Sequence, residues 1–172
     1  MGPLEHYGIT LREDNFHEGA IYGLACVYSL MEREISDFLR PYNLTPAKFN
    51  AMMVIKHRGD GLGLSQIEIG RRLIVSASNM TRLLDKLEME GFIERMVQVG
   101  DRRVNRIKIS KKGSDVLDKV WPGYYQKITH IANLLSVSQQ KQIYSLLTDW
   151  CGKLELKPQA NLRYSTKGAL NV

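Results

Sequence analysis

Residues 64–91 read LSQIEIGRRLIVSASNMTRLLDKLEMEG, and this stretch decides the fold. Ser65 and Glu68 have the spacing of a capping box, in which each side chain satisfies a backbone N–H of the first turn, so a short helix is predicted there. Ser76 is the predicted N-cap of a second helix. A short helix, a tight turn and a second helix form a helix-turn-helix. The apolar face of the second helix carries Met80, Leu83, Leu84 and Leu87.

A basic β-hairpin is predicted directly after the second helix. Gly91 ends that helix, and the apolar residues of 92–97 and 104–109 then follow the period of strands. The connection, 98–103, reads QVGDRR and is crowded with charge. A helix-turn-helix followed at once by a basic hairpin is a winged helix. The predicted fold class is therefore mainly α-helical with a small β-hairpin wing.

Amphipathic helices are predicted on both sides of this unit. From Phe16 to Leu39 the apolar residues alternate at spacings of three and four, a stripe that packs on another helix of the same chain or of a second copy. Pro41 and Asn43 end this helix, and Thr45 with the following proline starts the next one. The stripe consists of Ile21, Leu24, Tyr28, Met31, Ile35 and Phe38.

Two further helices are predicted after the wing. Ser110 caps the first, and Pro122 is expected to kink that helix or to start it afresh. Ser136 and Gln139 form a second capping box at the start of the last helix. The residues of the last helix that are expected to face inward are Ile143, Leu146, Leu147, Trp150 and Leu154.

The positive charge of the chain is concentrated in one region. Residues 71–112 hold eleven Lys and Arg against five Asp and Glu, whereas the rest of the chain holds thirteen of each kind. A local basic patch on an otherwise neutral protein is typical of a surface that binds a polyanion. The alternative is a solvated face with no partner.

Length and composition exclude several classes of protein. The 172 residues suffice for one domain with a core, and 44% hydrophobic with 24% charged residues is typical of a soluble globular protein. No stretch approaches the roughly 20 apolar residues that span a bilayer. Residues 1–15 are polar and acidic, unlike a secretory signal, and Cys26 and Cys151 are too few for a disulfide framework. We therefore expect a cytoplasmic protein without a membrane segment.

With these motifs in order, the chain resembles the MarR family of bacterial transcription regulators over about residues 16–154. The resemblance implies a homodimeric winged-helix repressor or activator whose N- and C-terminal helices form the dimer interface. The motifs that carry it are LTP at 44–46, LSQIE at 64–68, SASNMTRLLDKLE at 76–88, GFIER at 91–95, DRR at 101–103 and ISKKG at 109–113.

The resemblance also implies a division of the chain. One winged-helix domain combines a DNA-binding part with dimerisation helices; outside the resemblance lie an N-terminal arm and a C-terminal tail whose polar, patternless composition predicts a flexible segment. The expected ranges are 1–15 for the arm, 16–154 for the domain, 45–110 for its DNA-binding part, 16–41 and 111–154 for the dimerisation helices, and 155–172 for the tail.

The second helix, residues 76–90, is expected to enter the major groove of a pseudo-palindromic operator, because its first turns carry side chains that read bases. Arginine can bind guanine with two hydrogen bonds, asparagine can bind adenine, and hydroxyl groups reach bases or phosphates. Alternatively Ser76 only caps the helix and Asn79 is only solvated. The candidate residues on this helix are Ser76, Ser78, Asn79, Thr81, Arg82 and Lys86.

The wing, residues 92–109, is expected to enter the minor groove. By the resemblance, Asp101 orients Arg103, and Arg103 is the inserted side chain; the negative potential of a narrow minor groove favours such a guanidinium. The alternative is an exposed ion pair without a function. Further DNA-contact candidates are Arg102 and Arg106 on the wing, and Ser65 and Gln66 at a helix N-terminus that can bind phosphate or serve for capping alone.

The resemblance further implies a pocket for a small aromatic or phenolic effector between the dimer helices and the winged domain. Tyrosines at helical spacing belong more often to a core than to a ligand pocket. The candidate lining residues are His17, Tyr22, Tyr28, Tyr42, Met52 and Arg58.

Other readings compete with a ligand-released repressor. Cys26 could sense oxidants, although no basic residue within four positions lowers its pKa, so a buried inert thiol is the default. No ligand spacing for a metal is present, and no cofactor is expected. The chain lacks the glycine loops and nucleophile motifs of enzymes. A winged helix adapted to bind protein would replace the wing cations, which this chain retains.

Overall fold

The structure is a computed structural model that divides the chain into two units, residues 1–128 and residues 129–172. It describes five stretches of the chain: residues 4–9, 16–59, 61–73, 77–97 and 105–155. The predicted tip of the wing and nearly all of the predicted tail lie outside these stretches, so both stay predictions. No helix in the described stretches is long and apolar enough to span a membrane.

The first unit contains the predicted helix-turn-helix and the hairpin, and the predicted fold class is confirmed. Leu4 precedes a 3₁₀ turn over Glu5–Tyr7, and a second 3₁₀ turn covers Arg40–Tyr42. The regular elements are α1 (Phe16–Leu39), α2 (Pro46–Arg58), α3 (Gln66–Gly70), α4 (Ala77–Met89), β1 (Ile93–Val97), β2 (Asn105–Ile109) and α5 (Lys111–Ala132), whose last turn belongs to the second unit.

Three predicted helix starts are confirmed by their hydrogen bonds. The Thr45 hydroxyl accepts from the backbone N–H of Lys48 at 3.3 Å. In the capping box, the Ser65 hydroxyl accepts from the Glu68 N–H at 3.2 Å while the Glu68 carboxylate accepts from the Ser65 N–H at 2.7 Å. The Ser110 hydroxyl accepts from the Gly113 N–H at 2.9 Å. These local bonds satisfy orphan donors, so they fix where α2, α3 and α5 begin.

One hydrophobic core lies among α2, α3, α4, the hairpin and α5. Met80, Leu84 and Leu87 of α4 are buried as predicted, and Leu83 is partly buried against them. Burial of this apolar stripe anchors α4, so the opposite face of the helix is left to solvent. The other buried apolar residues are Leu39, Leu44, Phe49, Ala51, Met52, Ile55, Leu64, Ile69, Phe92, Ile93, Ile107, Leu117 and Val120.

The wing is an antiparallel pair in which Ile93 lies opposite Ile109 and Arg95 lies opposite Ile107. A third piece of chain joins the pair. Leu64 forms an isolated bridge with Ile107, with N–H···O distances of 2.8 and 3.0 Å. The residue that precedes the capping box is therefore hydrogen-bonded to the wing, and this fixes the base of the hairpin against the start of α3.

Pro122 does not start a new helix. Helix α5 runs without interruption from Lys111 to Ala132, with Pro122 inside it. A proline removes one hydrogen bond and crowds the preceding turn. Flanking buried residues such as Leu117 and Val120 tie the N-terminal half of α5 to the core, so tertiary packing holds the helix together across the proline.

The apolar stripe of α1 is buried only near its C-terminal end. Ile35 and Phe38 pack against the core, whereas Ile21, Leu24 and Tyr28 are exposed, Tyr28 to 65%. Within one chain, the N-terminal part of the stripe therefore lacks a cover among the described residues.

The second unit consists of the end of α5, a turn, and α6 (Val137–Glu155). The predicted capping box is confirmed, because the Ser136 N–H donates to Gln139 at 2.8 Å and the Gln139 N–H donates to Ser136 at 3.3 Å. The predicted inward apolar face of α6 is found only in part in the single chain, where Leu147 and Trp150 are partly buried. Ile143, Leu146 and Leu154 are exposed, since no described element of this unit covers them.

Candidate nucleic-acid interface

Helices α3 and α4 are joined at the side chains that were expected to meet DNA. The Gln66 amide donates to the Thr81 hydroxyl at 2.7 Å. Both side chains are at least partly exposed, and Thr81 lies in the first half of α4. The contact brings the start of α3 and the recognition turns of α4 together into one polar surface, as a helix-turn-helix requires.

The face of α4 opposite the core carries the remaining described candidates. Asn79, Arg82 and Lys86 are exposed. Within the described stretches, neither Arg82 nor Lys86 has a salt-bridge partner. A helix that buries an apolar stripe and presents amide and cationic side chains on the opposite face is suited to contact base edges in a DNA groove.

Several other cations of residues 71–112 are already engaged within the protein. Arg95 lies 2.6 Å from Asp85 and 2.7 Å from Glu88, which ties β1 to α4. Lys111 pairs with Asp115 at 2.5 Å, and Lys112 donates to the Glu90 carbonyl oxygen at 2.7 Å. The charge count alone therefore overstated the free basic surface, because it takes no account of the partners that each cation has in the fold.

Arg106 has a structural partner as well as its predicted role. Its guanidinium donates to Glu68 at 3.0 Å and to the Gly63 carbonyl oxygen at 3.3 Å. The Ser65 backbone N–H, followed by the Ser65 hydroxyl and by the charge of Arg106, holds the pKa of the Glu68 carboxyl below its ordinary value. Glu68 thus remains ionised at neutral pH, and the capping box of α3 is joined to β2 through Arg106.

Gly63 allows the base of the wing to approach α3. Its φ is +80°, and a Cβ at this position would lie 2.8 Å from the Ile107 carbonyl oxygen. Only glycine fits this left-handed conformation beside a strand. This close approach explains why a glycine stands at position 63.

Some candidate residues cannot be placed. Ser76, Asp101, Arg102 and Arg103 lie outside the described residues, and the side chain of Ser78 does too. Their roles in DNA contact stay predictions. Strands β1 and β2, on either side of the tip, pair in register from Ile93–Ile109 to Val97–Asn105. Of the basic residues on β2, Arg106 and Lys108 are described.

The six candidate effector residues do not meet in one cavity. His17, Tyr22 and Tyr28 are exposed on α1, and Met52 is fully buried in the core. The ring of Tyr42 packs against that of Phe38, with centroids 5.9 Å apart. Arg58 lines an open cleft of about 420 Å³ together with Val54 and Arg72.

A second cleft, of about 380 Å³, lies between α2 and α5 and was missed by sequence reasoning. It combines apolar and aromatic walls with basic groups. The Lys56 ammonium donates to Asp118 at 2.5 Å and holds the pKa of that carboxyl below its ordinary value. The lining residues are Met53, Lys56, His57, Leu117, Asp118 and Trp121.

The cysteines stand apart from these features. Cys26 is half-buried in α1 and Cys151 is exposed in α6, and both are free thiols. No group of three or more metal-ligating side chains occurs among the described residues.

Sequence comparison connects this chain with known regulators. A family model described as the MarR family matches residues 44–104. YkoM of Bacillus subtilis, described as an uncharacterized HTH-type transcriptional regulator, is 30% identical over 119 residues, which are 69% of this chain and 75% of YkoM.

Structural comparison gives the same fold. A mutant MarR from E. coli in complex with operator DNA has a TM-score of 0.68 at 21% identity, and the match covers 80% of this chain and 98% of that one. The S. aureus MepR–DNA complex has a TM-score of 0.69 at 19% identity, covering 77% and 96%. At these identities the likeness establishes the winged-helix fold alone.

Proposed function

This chain belongs to the MarR family of transcription regulators, and from that premise we propose that it is a homodimeric repressor that binds a pseudo-palindromic operator and is released by a small molecule. Residues 76–90 enter the major groove and the wing, 92–109, enters the minor groove. Residues 45–110 form the DNA-binding part within the domain 16–154. The structural likeness to MarR and MepR, both seen with DNA, supports this assignment.

One observation carries the proposal: the solvent face of α4 presents Asn79, Arg82 and Lys86 without salt-bridge partners among the described residues. Unpaired cations on a helix attract phosphate, and a guanidinium or amide can pair with base edges. The polar bond between Gln66 and Thr81 holds the start of α3 beside this face. In this proposal Ser65 and Gln66, at the start of α3, contact a phosphate of the duplex.

Dimerisation supplies the second half of the site. Helices α1 and α6 expose apolar side chains to water, which is energetically unfavourable. Examples are Ile21, Leu24, Ile143 and Leu146. Covering them with a second copy removes apolar area from water and presents two copies of α4 to one duplex. Half-sites about 34 Å apart, one turn of DNA, fit such a symmetric pair.

The effector is a small aromatic or phenolic anion in this proposal. The α2–α5 cleft supports an aromatic or phenolic ligand better than the six residues chosen from sequence, because the Trp121 ring and Met53 supply apolar walls, while His57 and the Lys56–Asp118 pair supply polar groups. A few polar groups in an apolar cleft are typical of sites for small organic ligands.

Arginine substitutions test the DNA contacts. Arg82→Ala and Arg103→Ala should each weaken binding to an operator duplex by about tenfold or more, since one arginine–guanine or minor-groove contact contributes about 1–3 kcal/mol. The measurement is fluorescence anisotropy with a duplex that the wild-type protein selects from a random-sequence pool.

Lys119→Ala is the matched control, because it removes one positive charge from an exposed position of α5 outside this surface. Its affinity should stay near that of the wild type. If Arg82→Ala and Arg103→Ala both bind as tightly as Lys119→Ala while circular dichroism shows folded protein, the proposed contacts are wrong.

A further inference from the structure

A buried ion pair connects α2 with the residue that follows α4. The Lys48 ammonium lies 2.7 Å from both carboxylate oxygens of Glu90. The Lys48 side chain is only 4% exposed, and that of Glu90 is 17% exposed. Lys48 also donates to the carbonyl oxygen of Asn43 at 3.1 Å. One ammonium group therefore bonds the α1–α2 junction and the end of the recognition helix at once.

The chain around Glu90 is held from a second side. The Glu90 carbonyl oxygen accepts from Lys112, and the Gly91 carbonyl oxygen accepts from the Ser110 hydroxyl, each at 2.7 Å. Gly91 has a φ of +75°, the left-handed conformation that ends α4. The C-terminal end of α4 is thus attached by side chains to α2 and to the start of α5.

Asn43 is the counterpart at the other end of this connection. It has a φ of +57° and follows the 3₁₀ turn that links α1 to α2. Its carbonyl oxygen accepts from the Lys48 ammonium, so the α1–α2 junction and Glu90 share one donor group. Helix α1 carries the exposed apolar face that the proposed dimer covers.

A buried ion pair of this kind contributes less to stability than to geometry. The free energy needed to desolvate both charges offsets much of their mutual attraction. An apolar replacement of the pair is therefore often neutral for the free energy of folding. The two short bonds nevertheless hold α2 at a set distance from the end of α4, because Lys48 lies in the first turn of α2 and Glu90 directly follows α4.

We propose that Lys48 and Glu90 are positioning residues that set the direction of α4 for operator reading by bonding its C-terminal end to the α1–α2 junction. This inference rests on the proposed DNA-binding function. Neither residue contacts DNA in this account, since Lys48 is buried and Glu90 follows the last turn of α4, away from its base-reading first turns.

The double variant Lys48→Met/Glu90→Gln tests the proposal, because it removes both charges and leaves no buried ion unpaired. We expect a folded dimer whose affinity for the selected operator duplex falls by about tenfold. Its affinity for the unselected random-sequence pool should be unchanged, as should the salt dependence, since the phosphate-binding cations are retained. Lys48→Arg, which keeps the positive charge, should retain most of the discrimination.

Three results would overturn the inference: equal discrimination by the double variant and the wild type, a parallel loss on both DNA pools, or a double variant that loses operator affinity only in proportion to its unfolded fraction. Should Lys48→Met/Glu90→Gln fail to fold, Lys48→Gln/Glu90→Gln keeps a neutral hydrogen bond and is judged by the same comparison. A wild-type protein that enriches no sequence from the pool would instead refute the proposed function, and the inference with it.

Discussion

Raising the salt concentration from about 50 mM to about 200 mM should weaken DNA binding by roughly a thousandfold or more. Each Lys or Arg that neutralises a phosphate releases counterions, and a protein with about six such contacts loses affinity to this extent. Arg71 at the end of α3, and Arg82 and Lys86 on α4, are exposed in each chain. A dimer that presents two such sets reaches that number.

The measurement is an anisotropy titration at four or more salt concentrations, with circular dichroism at each to confirm that the protein stays folded. A steep linear fall of log affinity against log salt supports the phosphate-binding surface. An affinity that stays flat across the range would contradict it, since a protein-docking or enzymatic module has no reason to release counterions from DNA.

Replacing Gly113 by alanine should destabilise the protein severely. A Cβ at this position would lie 2.1 Å from the Phe92 carbonyl oxygen and 2.8 Å from Cδ1 of Ile109. The same carbonyl accepts from the Ser110 N–H at 3.0 Å, so it cannot move without breaking the junction between the wing and α5. We expect a loss of about 3 kcal/mol or more in the free energy of unfolding.

Gly152→Ala is the matched control, because a Cβ on this helical glycine meets no atom within 4 Å. Alanine in a helix interior is favoured over glycine by about 0.5–1 kcal/mol, so this variant should be unchanged or slightly more stable. Thermal unfolding followed by circular dichroism compares the two. Equal unfolding midpoints for Gly113→Ala and the wild type would show that the contact with Phe92 does not restrict residue 113.

Local hydrogen-bond signals were the most predictable part of this fold. The capping boxes at Ser65 and Ser136 and the proline that opens α2 each depend on residues a few positions apart. The spacing of these residues along the sequence therefore predicts where each helix begins. Of the two expectations for Pro122, a kink or a new helix start, the new start is wrong, since burial of Leu117 and Val120 stabilises α5 through contacts distant in sequence.

The residue types of the candidate site could be predicted from sequence, but the side chains with which they form ion pairs could not. The exposed face of α4 follows from the apolar stripe opposite it, and both came from periodicity. The ion pairs of Arg95 with Asp85 and of Arg106 with Glu68 join residues 10 and 38 positions apart, so no local pattern indicates them. The burial of Lys48 and its pairing with Glu90 could likewise not be predicted from sequence, because a lysine on an amphipathic helix is normally solvated.

The apolar faces of α1 and α6 show a different limit. The regular spacing of their apolar residues correctly predicted two amphipathic helices. It does not predict which other helix packs against the apolar face. In the single chain Tyr28 of α1 and Leu146 of α6 are exposed.

Protection of the selected operator from methylation by dimethyl sulfate tests the central claim most directly, because the reagent modifies guanine N7 in the major groove and adenine N3 in the minor groove. Two clusters of protected guanines about one helical turn apart, each flanked by protected adenines, are the result expected of two recognition helices and two wings on one duplex. Protection in one groove only, or a single unrepeated cluster, would contradict the account.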